Sequence, residues 1–256
     1  MMRRLFALLC LLLPAQAHAF AAEDVVADLS QNRVSINTSF DGSEILVFGA
    51  VKRSRPVPVG TPPLEVIITV SGPSEPVTVR KKDRRLGIWV NTESVDIDAA
   101  PSFYAVATSG ALGDVLTETE DQRHKVSVAR AIRSVGAPAS ISDAQSFTEA
   151  LMRIRANDEL YVTSEGSVEL VQETLFNTEI RLPANLVEGA YETRIFLTRG
   201  GEVTAIYNDV IEVSKVGLER FIYNLAHEQP LIYGLLSLFI AISAGWMASA
   251  VFRFIR

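Results

Sequence analysis

The feature that most limits what this chain can fold into is the run from Leu231 to Phe252, twenty-two residues without a charge between Pro230 and Arg253. At about 1.5 Å per residue, a helix of that length is about 33 Å long, enough to cross the hydrocarbon core of a bilayer. A buried core helix would carry a polar stripe, and this run has none. Tyr233 near one end, and Trp246 with Phe252 toward the other, suit the two membrane interfaces. Arg253 and Arg256 make residues 253–256 a cationic tail, the sign expected on the cytoplasmic side.

A second apolar run lies at the other end. Arg3 and Arg4 precede Leu5 to Leu13, and Ala17-His18-Ala19 follows, the order of a secretory signal cleaved after Ala19. Leu5 to Leu13 is too short to span, since about 20 residues are required. The single cysteine, Cys10, falls inside this run, so the chain from residue 20 onward has no thiol for a disulfide, a nucleophile or a metal site. The expected organisation is a signal peptide at 1–19, a periplasmic β region at 20–213, a juxtamembrane amphipathic helix at 214–229, a transmembrane helix at 231–252 and a cytoplasmic tail at 253–256. That makes a single-pass protein of the inner membrane with its N-terminal body in the periplasm. Setting aside Arg3, Arg4, Arg253 and Arg256, the body holds 20 of the 24 basic residues and all 30 acidic ones, a net charge near −10. This balance excludes a nucleic-acid binder, and it keeps the body off anionic lipid except at local basic clusters.

Between the two ends the pattern is mostly β. Val34 to Thr38, Glu44 to Phe48, Leu64 to Val70 and Val77 to Arg80 are short runs rich in β-branched residues, separated by turn signals such as Asp41-Gly42 and Gly72-Pro73. Gly87 to Asn91, Val95 to Ile97 and Phe103 to Thr108 continue the series. It resumes at Tyr161, Val168 to Val171, Leu175 to Leu182, Ala190 to Leu197 and Val203 to Val213, with Arg199-Gly200-Gly201-Glu202 as a hairpin turn. The expected fold is mainly β: an immunoglobulin-like antiparallel sandwich, composite or in two parts, with a small helical insertion at about 118–156 and a C-terminal transmembrane helix. Leu182 to Tyr191 reads as a strand-to-strand corner of such a sandwich. Within the insertion, Ser142-Asp-Ala-Gln has capping-box spacing, and Ala144, Phe147, Leu151 and Ile154 recur at helical intervals. A weaker helix is expected over Gln122 to Ser134. Leu218, Phe221, Ile222 and Leu225 give the juxtamembrane helix an apolar stripe that suits either the outer interface or the sandwich.

Catalytic patterns are absent. There is no Gly-x-Ser-x-Gly elbow and no phosphate-binding glycine loop. His124 and His227 lie far apart in sequence without the spacing of a metal site, so no metal or cofactor is expected. Asp96 and Asp98 share a strand face, and Glu118, Glu120 and Asp121 cluster; a solvated edge and an acidic loop account for both. The most pointed feature is basic. Arg80, Lys81, Lys82, Arg84 and Arg85 give five cations in six positions, interrupted by Asp83, and Lys52, Arg53 and Arg55 add a second group. Such a patch suits lipid phosphates, a small anion or an acidic partner, or else a charged hairpin edge that deters aggregation. Trp89 follows, facing away from Ile88 and Val90, and burial against the insertion is expected. In the span, Ser237, Ala241, Gly245 and Ser249 recur every four residues, a row that lets another helix approach closely.

Several islands in order carry a resemblance: Ala27-Asp-Leu-Ser30, Phe48-Gly-Ala50, Val79-Arg-Lys-Lys82 with Gly87-Ile-Trp-Val-Asn91, Phe103-Tyr-Ala-Val106, Leu182-Pro-Ala-Asn185, Tyr233-Gly-Leu-Leu, Gly245-Trp246 and Phe252-Arg253. Together they resemble an alphaproteobacterial family of single-span transmembrane proteins, departing from it at Arg80-Lys81-Lys82, where more arginine is expected. The resemblance implies an exported β domain on a C-terminal span, with no assigned activity. It also implies sulfite-exporter-like permeases as neighbours. The expected function is a membrane-anchored accessory protein rather than an enzyme, working beside such a permease, another membrane protein or a second copy of itself. The alternative is a sensor or binding module for a small anion, and a carboxylate-dependent envelope enzyme is the remote one.

Overall fold

Alternation sets the first sheet. The computed structural model describes residues 23–134 and 143–254. In Ser43–Arg53 (β3), Ile45, Val47 and Val51 are buried while Glu44, Leu46 and Phe48 face outward; in Leu175–Leu182 (β10), Phe176, Thr178, Ile180 and Leu182 are buried. That period of two marks a sheet packed on one face only. Glu23–Leu29 (β1) and Glu169–Val171 (β9) complete it, in the order β1-β3-β10-β9, all antiparallel.

The centre of the second sheet is buried on both faces. In Leu64–Ser71 (β4), every residue from Val66 to Val70 is buried, as are Ile195, Phe196 and Leu197 in Gly189–Arg199 (β11). One face meets the first sheet in a continuous core. The other is covered by the helical insertion: the His124 ring packs tilted against Phe196, with ring centroids 5.8 Å apart. The order is β2-β12-β11-β4-β7-β8, with Arg33–Ile36 (β2), Glu202–Lys215 (β12), Tyr104–Thr108 (β7) and Tyr161–Ser164 (β8). The sandwich is not wholly antiparallel. β2 pairs parallel with β12, and β8 parallel with β7, at the two edges. Strand direction depends on the connections, which hydrophobic periodicity does not report.

Among the described residues the insertion holds four helices, Leu112–Val115 (α1), Glu118–His124 (α2), Val128–Ala131 (α3) and Ala144–Asn157 (α4). The single helix expected over Gln122 to Ser134 is instead the end of α2, Lys125 in the left-handed region (φ 53°), and α3. Asp143 caps α4, accepting from the Ser146 N–H at 3.2 Å, one residue after the start expected; Ser142 lies outside the described residues. So do the expected signal peptide with Cys10, and Arg256. The corner is as read: the Tyr191 hydroxyl donates to the Val187 carbonyl at 2.8 Å, the tyrosine-corner device of immunoglobulin-like sandwiches. Gly189 sits at φ +151° with Pro73 so near that a Cβ would meet its ring at 3.0 Å. The helical pattern expected from Lys215 starts later, because β12 runs to Lys215. Leu218–Glu228 (α5) then leads to Pro230–Phe254 (α6). Pro230–Ser249 is long and apolar enough to cross a membrane, with a mean hydropathy of 1.9.

Candidate functional site

The separate strands expected at Val77 to Arg80, Gly87 to Asn91 and Val95 to Ile97 are one ribbon: Ser74–Arg85 (β5) and Ile88–Pro101 (β6), a two-stranded sheet of their own. Its register continues that of β4 and β7. Ser71 lies opposite Tyr104, the Gly72 N–H donates to the Phe103 carbonyl (2.8 Å), the Ser102 N–H to the Pro73 carbonyl (2.8 Å), and Ser74 lies opposite Pro101. Residues 64–108 therefore form a single hairpin whose outer half leaves the sheet as an arm.

The base of the arm is braced. Val79, Val95 and Ile97 are buried, and α4, which buries Phe147 and Leu151, packs on both strands. Beyond Val79 the arm is bare, with every residue from Arg80 to Trp89 exposed. Its tip is the two-residue turn Leu86-Gly87, with φ of 51° and 87°, a type I′ geometry. Leu86, Ile88 and Trp89 are 105%, 65% and 69% exposed. Trp89 is not buried against the insertion as expected, because α4 reaches only the base.

The basic run splits by face. Lys81 and Arg85 alternate with Arg80, Lys82 and Arg84 along β5, and each of the first pair has a carboxylate: Glu93 at 3.5 Å and Asp83 at 3.9 Å. No carboxylate pairs with Arg80, Lys82 or Arg84 among the described residues, and Arg84 lies directly across from Trp89. One face of the arm thus presents three cations and an indole.

The arm leaves a particular end of the body. Ser71 faces Glu192, Glu192 faces Val210 and Gly189 faces Val213, so the arm starts level with the end of β12, beside the point where the chain passes to α5 and α6. The opposite end is closed by charge. Arg199, beside the Gly200-Gly201 turn, grips Glu23 with two bonds (Nη2 to Oε1 2.7 Å, Nε to Oε2 3.0 Å), and Arg53 adds a third at 2.9 Å. Arg199 also reaches Glu173 at 3.3 Å and the Pro62 carbonyl at 2.5 Å, and Arg53 donates to the Glu173 carbonyl. The Glu23 and Arg199 side chains are each only 3% exposed. Burial alone pushes the Glu23 carboxyl up, but the hydrogen bonds and charges of Arg199 and Arg53 outweigh it and hold the group below the ordinary carboxylate range. This cluster was not apparent in the sequence, where its members stand up to 176 positions apart.

The remaining acidic candidates have structural duties. Glu118, Glu120 and Asp121 are the first turns of α2 rather than a loop. Asp121 accepts from the Val126 and Ser127 N–H groups, and Glu120, buried, pairs with Arg123 (2.5 Å) and His124 (3.3 Å). Asp96 accepts from Thr78 at 2.6 Å. His227, on α5, stacks on Tyr223. Among the described residues, no three His, Cys, Asp or Glu side chains gather as metal ligands. The row Ser237, Ala241, Gly245 and Ser249 lies exposed along α6, with Ser237 bonded to the Tyr233 carbonyl.

A family match agrees with the C-terminal span. Residues 24–254 match a family described as "Putative transmembrane protein (Alph_Pro_TM)". No curated protein matches the chain. Among solved structures, the sporulation control protein Spo0M from Bacillus subtilis aligns over 75% of this chain and 49% of its own length, at 10% identity and a TM-score of 0.26. The chain thus spans about half of that protein, and a likeness this slight carries no argument.

Proposed function

The chain belongs to this transmembrane family, and from that premise we propose that it is an accessory protein of the inner membrane. Its β body stands in the periplasm, α6 anchors it, and its work is contact rather than turnover. One observation carries the reading: the braced arm and the chain's passage to the membrane helix issue from the same end of the same sheet. That arrangement suits a body held in a fixed attitude over the bilayer beside a partner. The row Ser237, Ala241, Gly245 and Ser249 offers the partner a face where helix backbones can approach closely. A permease of the sulfite-exporter kind, another membrane protein or a second copy would fit there.

Photo-crosslinking from Ala241 and Gly245 in native membranes, followed by copurification in mild detergent, tests the proposal. A discrete adduct with a membrane protein or with the chain itself is expected; a span that crosslinks only to lipid would overturn it. The orientation is checked by a reporter fused after Arg256, which is expected to be active only in the cytoplasm. The anion-sensor alternative draws on Arg80, Lys82 and Arg84. They lie on an open ribbon, however, and a small-molecule site is normally a concave one.

A further inference from the structure

A left-handed backbone conformation is costly for an ordinary residue, and the residue is held there only when something offsets the cost. Five non-glycine residues adopt positive φ among those described: Leu86, Lys125, Glu159, Gln172 and Glu173. Lys125 ends α2 by donating to the Asp121 carbonyl, and Glu159 follows α4, donating to the Ala156 carbonyl. Gln172 and Glu173 form a tight turn that Arg53 and Arg199 hold through Glu173. Leu86 differs. Its side chain is fully exposed at the end of the arm, where Asn-Gly would serve the turn better, so the fold itself gains nothing from a leucine there.

We propose that the tip of this arm docks into the anionic headgroup layer of the membrane that α6 crosses. Leu86, Ile88 and Trp89 enter the interface while Arg80, Lys82 and Arg84 hold lipid phosphates. The inference rests on the reading above that the body stands over this bilayer, and it names what the arm itself touches. Three observations meet in it. An apolar apex behind which unpaired cations are ranged is the pattern of an interfacial anchor: tryptophan settles at headgroup depth, and long basic chains reach the phosphates. The charges are a local exception on an acidic body, so this face of the arm is drawn to anionic lipid although the body as a whole is not. Reach is sufficient too. The twelve residues of β5 extend about 40 Å at about 3.3 Å each, against about 16 Å for the eleven residues of α5. An arm that starts beside the root of α5 therefore reaches the bilayer even if α5 stands upright. The anchor holds the tip near that surface at high effective concentration, so modest contacts suffice.

The chain has two tryptophans, Trp89 and Trp246. In full-length protein carrying Trp246→Phe, Trp89 alone therefore reports the tip. The protein is reconstituted in bilayer discs of phosphatidylcholine and of phosphatidylcholine with phosphatidylglycerol. Docking predicts blue-shifted Trp89 emission in the anionic discs, shallow quenching by bromine placed near the headgroup, and loss of both in high salt. Each of Arg80→Gln, Lys82→Gln and Arg84→Gln should lower the docked-to-free ratio roughly fivefold, and Leu86→Asn should reduce it without unfolding the chain. Trp89 emission that stays that of free indole in anionic discs, or that shifts equally in neutral ones, overturns the proposal. So does protection of Trp89 only when a protein partner is added back. In that last case the accessory reading survives, because its own test is crosslinking from α6.

Discussion

The two ends of the sandwich use the same residue types to opposite effect. At one end Arg199 and Arg53 enclose Glu23, both partners of the central pair almost wholly withdrawn from water. At the other, Arg80, Lys82 and Arg84 stand in solvent on an arm that the core does not reach. Buried charges are tolerated only when paired and hydrogen-bonded, so the first cluster ties β1 and β3 of one sheet to β11 of the other. Exposed charges stabilise a fold little, so the second group is free to serve contact. The two tight turns repeat the lesson. Glu173 takes a strained conformation and binds two arginines, whereas Leu86 takes the same conformation and binds nothing within the chain.

The comparison breaks most readily at the buried end. Arg199→Ala leaves Glu23 charged and without its main partner, and a loss of about 3–5 kcal/mol is expected from denaturation of the full chain in detergent. A loss below about 1 kcal/mol would mean that Arg53 alone satisfies the carboxylate. Removing the Tyr191 hydroxyl, with Tyr191→Phe, should cost about 1–2 kcal/mol, because the Val187 carbonyl loses its donor. Acidification sharpens the contrast. The Glu23 carboxyl is held below its ordinary value of 4.5, so its contribution is complete above that pH and is lost as the pH falls through its lower folded-state value. Melting curves should show a stability slope in that acid range which Glu23→Gln abolishes. The arm variants Arg80→Gln, Lys82→Gln and Arg84→Gln should change stability least, by about 0.5 kcal/mol or less. Salt separates the two ends in the same samples: about 1 M salt shortens screening to about 3 Å, releasing the arm from anionic bilayers while leaving the enclosed cluster largely in place.

Much of the architecture was legible because it is local. The uncharged run that became α6, the alternation of β3 and β10, the Gly200-Gly201 turn and the corner at Leu182 to Tyr191 all follow from patterns a few residues long. What was missed involves partners distant in the chain. β1 was not singled out as a strand, since Glu23 to Leu29 carries only three large apolar residues and gains its place by pairing with β3. The basic run was visible at once, but its division into paired Lys81 and Arg85 and unpaired Arg80, Lys82 and Arg84 depends on which strand lies opposite. Trp89 was expected to be buried because indoles usually are; the length of the ribbon relative to α4 decides otherwise.

Sequence alone determined the membrane-spanning helix and the β character of the body, because length, hydropathy and two-residue alternation are properties of contiguous residues. Only the tertiary structure decided that Glu23 meets Arg199, that two edge strands run parallel, and that the basic arm springs from the end of the sheet where the chain turns toward the bilayer. Those are matters of register and strand order, and both are set by burial and pairing across the whole chain.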